Sequence, residues 1–342
     1  MMNDPTSRYL HEAVKKDDYE LAARFLALHP TNGIDVNARD GYGMTALMWA
    51  TGRGSKEIIS LLLEHGADVE ARNELLSVRS IEKLATGKED YWALIDRMGT
   101  MEANKHHGWT ALIWASRNGQ TEAVNLLLDS RANINAITKD GFTALVHAID
   151  SKHVVTAQLL LERGAEPDLI ESGCSPALPT AAGYGFVDLV RTILDRGGNI
   201  DALNDVGHGA LCSAVVNNRS EVLMLLLEHN LDVNATCPGL VEWPPLHFAA
   251  ECDALECAHI LLDHGAYIDA KDALNSMTAL EFAVDEMVGP RVARLLIEHG
   301  ANIRGALGRV EYSKGSAEGD EIAEADEMIE LLKRRAANDM KN

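Results

Sequence analysis

No stretch of this 342-residue sequence comes near the roughly 18 apolar residues that a membrane span requires, and its amino terminus has no basic segment leading into an apolar one. The expectation is a chain neither exported by such a signal nor embedded in a bilayer. Cysteine is scarce. Cys174, Cys212, Cys237, Cys252 and Cys257 are odd in number and show no paired spacing, as expected of reduced thiols in the cytoplasm or nucleus. Basic charge is also short: 31 Lys and Arg face 52 Asp and Glu, a formal −21. Neither a nucleic-acid backbone nor an anionic leaflet is an attractive partner for such a chain. There is no phosphate-binding glycine loop, no G-x-S-x-G and no H-E-x-x-H, so no cofactor is expected. Apolar residues, at 46%, are still ample for a core.

What is present is a repeat. The tripeptide T-A-L or a close variant recurs with its leucine at Leu47, Leu112, Leu145, Leu178, Leu211, Leu246 and Leu280, at separations of 65, 33, 33, 33, 35 and 34. Each anchor leads into an apolar helix-like stretch and then a leucine-rich block that closes on Gly-Ala or an equivalent, as in L-L-L-E-H-G-A-D from Leu61 to Asp68. A unit of this length reads as two short helices joined by turns. Thr45, Thr110, Thr143 and Thr278 stand where a hydroxyl can cap the first helix. Gly66, Gly164, Gly265 and Gly300 stand where a left-handed residue can close the second, and His65, His264 and His299 lie beside its negative end. Asn-, Asp- and Gly-rich joints such as Asn37 to Met44 predict a hairpin-like finger between units.

These residues closely resemble the ankyrin repeat, with D-G-F-T-A-L-V-H-A at Asp140 to Ala148 and W-P-P-L-H-F-A-A at Trp243 to Ala250 as near copies of its pattern. The resemblance covers roughly residues 8 to 303. It implies an all-α solenoid of stacked helix-turn-helix repeats with β-hairpin-like fingers, curved with a concave groove. The units are a capping repeat at 6–36 and repeats at 37–73, 74–104, 105–136, 137–169, 170–202, 203–236, 237–270 and 271–303. A C-terminal capping helix and tail follow at 304–342, with Ile322, Met328, Ile329, Leu331 and Leu332 available to seal the last repeat. The step of 65 contains the 74–104 unit. Gly99 aligns on Gly66 one period earlier, which reads as a degenerate repeat. The competing reading is an insertion forming a lid or side helix.

For function, the resemblance implies protein binding through the concave face and fingers. Its variable positions after the first-helix alanines include Asp150, Tyr184, Glu251, Asp285 and Glu286. One departure from the pattern adds candidates, the proline-stiffened finger C-P-G-L-V-E-W-P-P, which carries Leu240 and Trp243 as exposed apolar and aromatic anchors; Trp109 and Phe142, which share a finger position, are further interface candidates. Trp49 and Trp114 share a first-helix position and read as packing. Residues 236–303 hold three basic against eleven acidic side chains, a net −8, which favours a protein partner that presents a basic segment. The alternative is an enzyme acting on a small molecule in the groove, with His147, Tyr184, Asp150, Glu251 and Asp285 as groups to inspect. No catalytic set or metal site is assigned, because Cys252, Cys257, His247 and His259 lack a paired zinc-ligand spacing.

Overall fold

The computed structural model describes residues 5–27, 34–40, 43–73, 108–169, 176–238, 242–285, 290–315 and 320–339. The chain forms two compact units, residues 1–177 and 178–342. In the first, helices come as consecutive pairs: α1 (Pro5–Lys15) with α2 (Tyr19–Ala27), α3 (Ala46–Arg53) with α4 (Lys56–Glu64), α5 (Ala111–Arg117) with α6 (Thr121–Asp129), and α7 (Ala144–Asp150) with α8 (Val154–Glu162). The first helices stack as α1 on α3, α3 on α5 and α5 on α7, while α2, α4, α6 and α8 form the row behind.

The second unit opens with α9 (Ala177–Tyr184) and α10 (Val187–Asp195), then α11 (Ala210–Val216) and α12 (Ser220–Glu228). A short antiparallel ladder, β1 (Cys237–Pro238) with β2 (Glu242–Trp243), precedes α13 (Pro245–Glu251) and α14 (Leu255–Asp263). Helices α15 (Ala279–Val284) and α16 (Pro290–Glu298) follow, and α17 (Ala306–Lys314) and α18 (Asp320–Asp339) close the unit. Here α11 packs on α13, α13 on α15 and α15 on α17.

The local chemistry explains why the elements begin and end where they do. Thr45, Thr110, Thr143 and Thr278 have extended backbone, and their hydroxyls accept from the N–H of Met48, Ile113, Val146 and Glu281 at 3.3 to 3.4 Å. Glu281 completes a capping box by accepting from the Thr278 N–H at 2.8 Å, an arrangement worth about 1 kcal/mol. Gly66, Gly164, Gly265 and Gly300 have φ between 81° and 96°, where a Cβ is strained. His65, His264 and His299 donate from Nδ1 to the carbonyls of Leu61, Ile260 and Leu295 at 2.8 to 2.9 Å, so these rings finish helices.

The seven anchor leucines are all buried, none more than 7% exposed. They face the second helices, whose apolar residues recur at helical spacing, as in Ile58, Ile59 and Leu62. Asparagines in the joints tie one repeat to the next. Asn37, Asn135 and Asn234 accept through Oδ1 from the N–H of Asp68, Glu166 and Tyr267, and Asp269 does the same for Asn302.

The C-terminal end is sealed on the apolar pattern, with a change. Among the described residues after 303 lie α17 and α18, and α18 turns Ala325, Met328 and Leu332 inward while Ile322 stays 39% exposed. That i, i+3, i+7 stripe is one helical face. Arg294 holds Glu327 through two bonds at 2.7 and 2.9 Å, and Lys314 pairs with Asp326. Cys212 is disulfide-bonded, against the expectation of five reduced thiols, while Cys252 and Cys257 are free. Linear spacing carries no information on which thiols a stack brings together. The stretch 74–104 lies outside the described residues.

Candidate functional site

Two anchors expected on exposed fingers are core residues. Trp109 is 1% exposed and Trp243 is 8% exposed. The cause is a regular stacking rule. The finger residue three places before an anchor leucine packs between the ring two places after that leucine and its counterpart in the following repeat. Trp109 lies 4.7 Å from Trp114 and 4.4 Å from His147. Trp243 lies 5.3 Å from Phe248 and 4.4 Å from Phe282, and His208 lies 5.0 Å from Phe248. Phe142 is half-buried against His147 at 5.6 Å. Both positions can be read from the sequence; their contact follows only once the finger folds over its own helix.

Beneath this stack, His247 ties two repeats together. It is 1% exposed and its Nε2 donates to the Met277 carbonyl at 3.0 Å, as His11 reaches from its own helix to the Met44 carbonyl at 3.1 Å. Burial lowers the His247 pKa, against the opposing pull of that bond and of Asp272. Burial alone would raise the Asp272 carboxyl. Backbone bonds from Asn275, Met277 and Leu274 outweigh it and hold the pKa below the usual value.

The accessible candidates in the second unit are the residues that end consecutive first helices. Tyr184 at the end of α9 is half-exposed and meets Phe186 at 5.5 Å between ring centres. Asn217 caps α11, is exposed and bonds the Ser213 carbonyl at 2.9 Å; a methyl on Gly183 would reach to 3.4 Å from its Nδ2. Glu251 ends α13, Cys252 caps it, and both are exposed. Asp285 caps α15 and meets Arg309 of α17 at 3.3 Å. Since α11, α13 and α15 pack side by side, Asn217, Glu251, Cys252 and Asp285 form one row. Asn217 and Cys252 are among the variable positions that the spacing maps, although the interface candidates named above did not include them. In the first unit Asp150 is exposed at the end of α7. Leu240 and Glu286 lie outside the described residues.

The charge of Glu251 does not serve the stability of its helix, whereas Asp285 is paired with Arg309. The C-terminus of a helix is its negative end, where an acid costs about 0.3 to 1 kcal/mol and a Lys or Arg stabilises. Helices α3 and α5 end on Arg53 and Arg117, whereas α7 and α13 end on Asp150 and Glu251. Partial burial raises the Glu251 pKa. Burial and the neighbouring Glu251 together raise the Cys252 thiol, and burial pushes Cys257 up to about 12. A thiol raised in this way is a poor nucleophile at neutral pH. No group of three His, Cys, Asp or Glu suited to a metal occurs among the described residues, nor is any described helix long and apolar enough to cross a membrane.

The family model for ankyrin repeats (3 copies) matches residues 3–74, 87–171 and 237–305, and that for ankyrin repeats (many copies) matches 211–262. The chain belongs to the ankyrin-repeat family. Among similar proteins, the fowlpox virus ankyrin repeat protein FPV244, described as putative, is 32% identical over 36% of this chain and 17% of its own length. The mitochondrial disaggregase of Bos taurus is 30% identical over 36% of this chain and 18% of its own. The E3 ubiquitin-protein ligase Ufd4 of Drosophila melanogaster is 38% identical over 19% and 2%. This ankyrin-repeat chain thus spans less than a fifth of the length of these curated relatives. The crystal structure of the human ASB11 ankyrin repeat domain shares its fold, with a TM-score of 0.57 at 21% identity over 76% of this chain and 99% of that one.

Proposed function

We propose that this ankyrin-repeat chain is a protein-binding module whose second unit receives a basic segment of a partner along Asn217, Glu251, Cys252 and Asp285 and the fingers beside them. One observation carries the reading: Asn217, Glu251 and Cys252 are exposed at the ends of neighbouring first helices, on a stretch whose net charge is −8 for residues 236–303. A cationic partner is attracted by this acidic stretch, chiefly through steering and the selection of partners. Cys252, whose thiol is raised, is not an activated nucleophile, and the recognition proposed rests on charge.

The test is affinity capture from native lysate with the wild-type chain and with Glu251→Lys, each at low and at high salt, with melting of both proteins as the folding control. The expected outcome is a set of captured proteins that is lost both in the variant and at high salt while the melting transition is kept. Recovery of the same set by Glu251→Lys at unchanged stability would refute the proposal.

A further inference from the structure

The long step between Leu47 and Leu112 is described on both of its flanks, and the bonds across it are those that elsewhere join immediate neighbours. In ordinary joints the Asn or Asp of the turn accepts from a backbone N–H 31 or 33 residues ahead, as Asn37 does from Asp68 and Asp269 from Asn302. Glu70 stands at the position equivalent to Asn37 and accepts from the N–H of Asn133, 63 residues ahead, at 2.6 Å. Its reach along the chain exceeds the ordinary one by almost a whole repeat. The finger tells the same story. Asp40 accepts from the Gly43 N–H and, through Oδ1, from that of Met44. Asn73 makes the same pair of bonds across a far longer separation in sequence, to the Gly108 N–H at 3.1 Å and, through Oδ1, to that of Trp109 at 2.7 Å. The excess is again almost one repeat.

The helices agree. α3 packs on α5 and α4 on α6, and Lys56 of α4 pairs with Glu122 of α6 at 3.1 Å. A methyl on Gly54 after α3 would run into Gln120 before α6, as one on Gly119 would into His153 and one on Gly185 into Arg219. Each of those later pairs joins consecutive repeats. Arg72 then locks the joint by donating to the carbonyls of Gly108 and Ile137 at 2.9 and 2.6 Å.

We infer that repeats 37–73 and 108–136 are consecutive in the stack, with no repeat layered between them. This replaces the degenerate-repeat reading of 74–104. The alignment of Gly99 on Gly66 cannot separate the two readings, because the separation across this finger, 36 against 4, exceeds the ordinary one by almost one repeat and period counting returns the same sum for both. The family model matches residues 87–107 together with 108–171, a likeness in sequence that does not say which layers touch.

The experiment is paired thiol crosslinking in the full chain. Lys56→Cys with Glu122→Cys spans α4 and α6, and Thr121→Cys with Val155→Cys spans α6 and α8, which are neighbours through the 2.8 Å contact of Thr121 with Thr156. A short bismaleimide is applied to each and the crosslinked peptides are quantified by mass spectrometry, so that native cysteines are told apart. The expected yield for the first pair lies within about twofold of the second, because neighbouring helices are about 8–10 Å apart. An intervening repeat would double that distance and leave the first pair uncrosslinked while the second reacts, which would overturn the inference. Deleting residues 75–106, which restores a finger tip as short as the one at 41–42, is expected to leave the first pair's yield unchanged; a yield that appears only on deletion would also overturn it.

Discussion

Replacing Trp243 with alanine removes an indole that is 8% exposed and lies 4.4 Å from Phe282 and 5.3 Å from Phe248. It therefore vacates a site shared by α13 and α15. Truncation of a buried tryptophan costs about 3–5 kcal/mol, and the two ring contacts place this site toward the upper part of that interval. Trp243→Phe is the control. The indole N–H is buried with no hydrogen-bond partner, so phenylalanine discards an unsatisfied donor and keeps a ring, and the cost stays below about 1.5 kcal/mol. Urea unfolding followed by circular dichroism measures both, with hydrogen exchange over 245–284 to detect a loss confined to these repeats. A Trp243→Ala change of less than about 1 kcal/mol would refute the reasoning. It would mean that the indole is an exposed anchor after all, as its place in a finger suggests from sequence alone.

Other outcomes follow from single contacts. Leu145→Ala, at a position 1% exposed, is expected to cost about 2–5 kcal/mol in urea unfolding; a near-neutral result would place Leu145 outside the core. Asn234→Ala loses bonds to the Gly265 carbonyl and the Tyr267 N–H, about 1–2 kcal/mol in all, and a loss no larger than that of an unbonded surface residue would show that the joint does not depend on it. Thr278→Ala breaks the capping box and is expected to cost about 1–2 kcal/mol, read from the thermal midpoint. For pH, the folded His247 pKa lies below its unfolded value of 6.5, so the unfolded chain binds more protons. Stability from this group is full above pH 6.5 and falls as pH drops through 6.5 toward the folded pKa. His208 acts in the same direction. His247→Gln keeps a donor for the Met277 carbonyl and is expected to flatten that part of the profile; an unchanged slope in unfolding experiments would rule His247 out as its source.

The variable positions are legible in the sequence because the anchor leucine numbers them, and Glu251 and Asp285 stand at helix ends as the spacing requires. Exposure is not legible for the finger aromatics. Trp243 and Trp109 sit in loops by sequence, yet each finger folds back over its helix, so a residue three places before the leucine meets one two places after it and another a whole repeat away.

The repeating unit follows from local rules: its length, its two helices, the threonine and glycine that bound them, and the leucines that bury. Capping, backbone strain and helical period act within a few residues, so each is written into the chain where it operates. Which units become neighbours is a property of the folded stack. Packing between layers, the reach of Glu70 to Asn133 and the closure of Asn73 on Gly108 link residues far apart in the chain, and no local rule distinguishes a repeat from an insertion of nearly the same length.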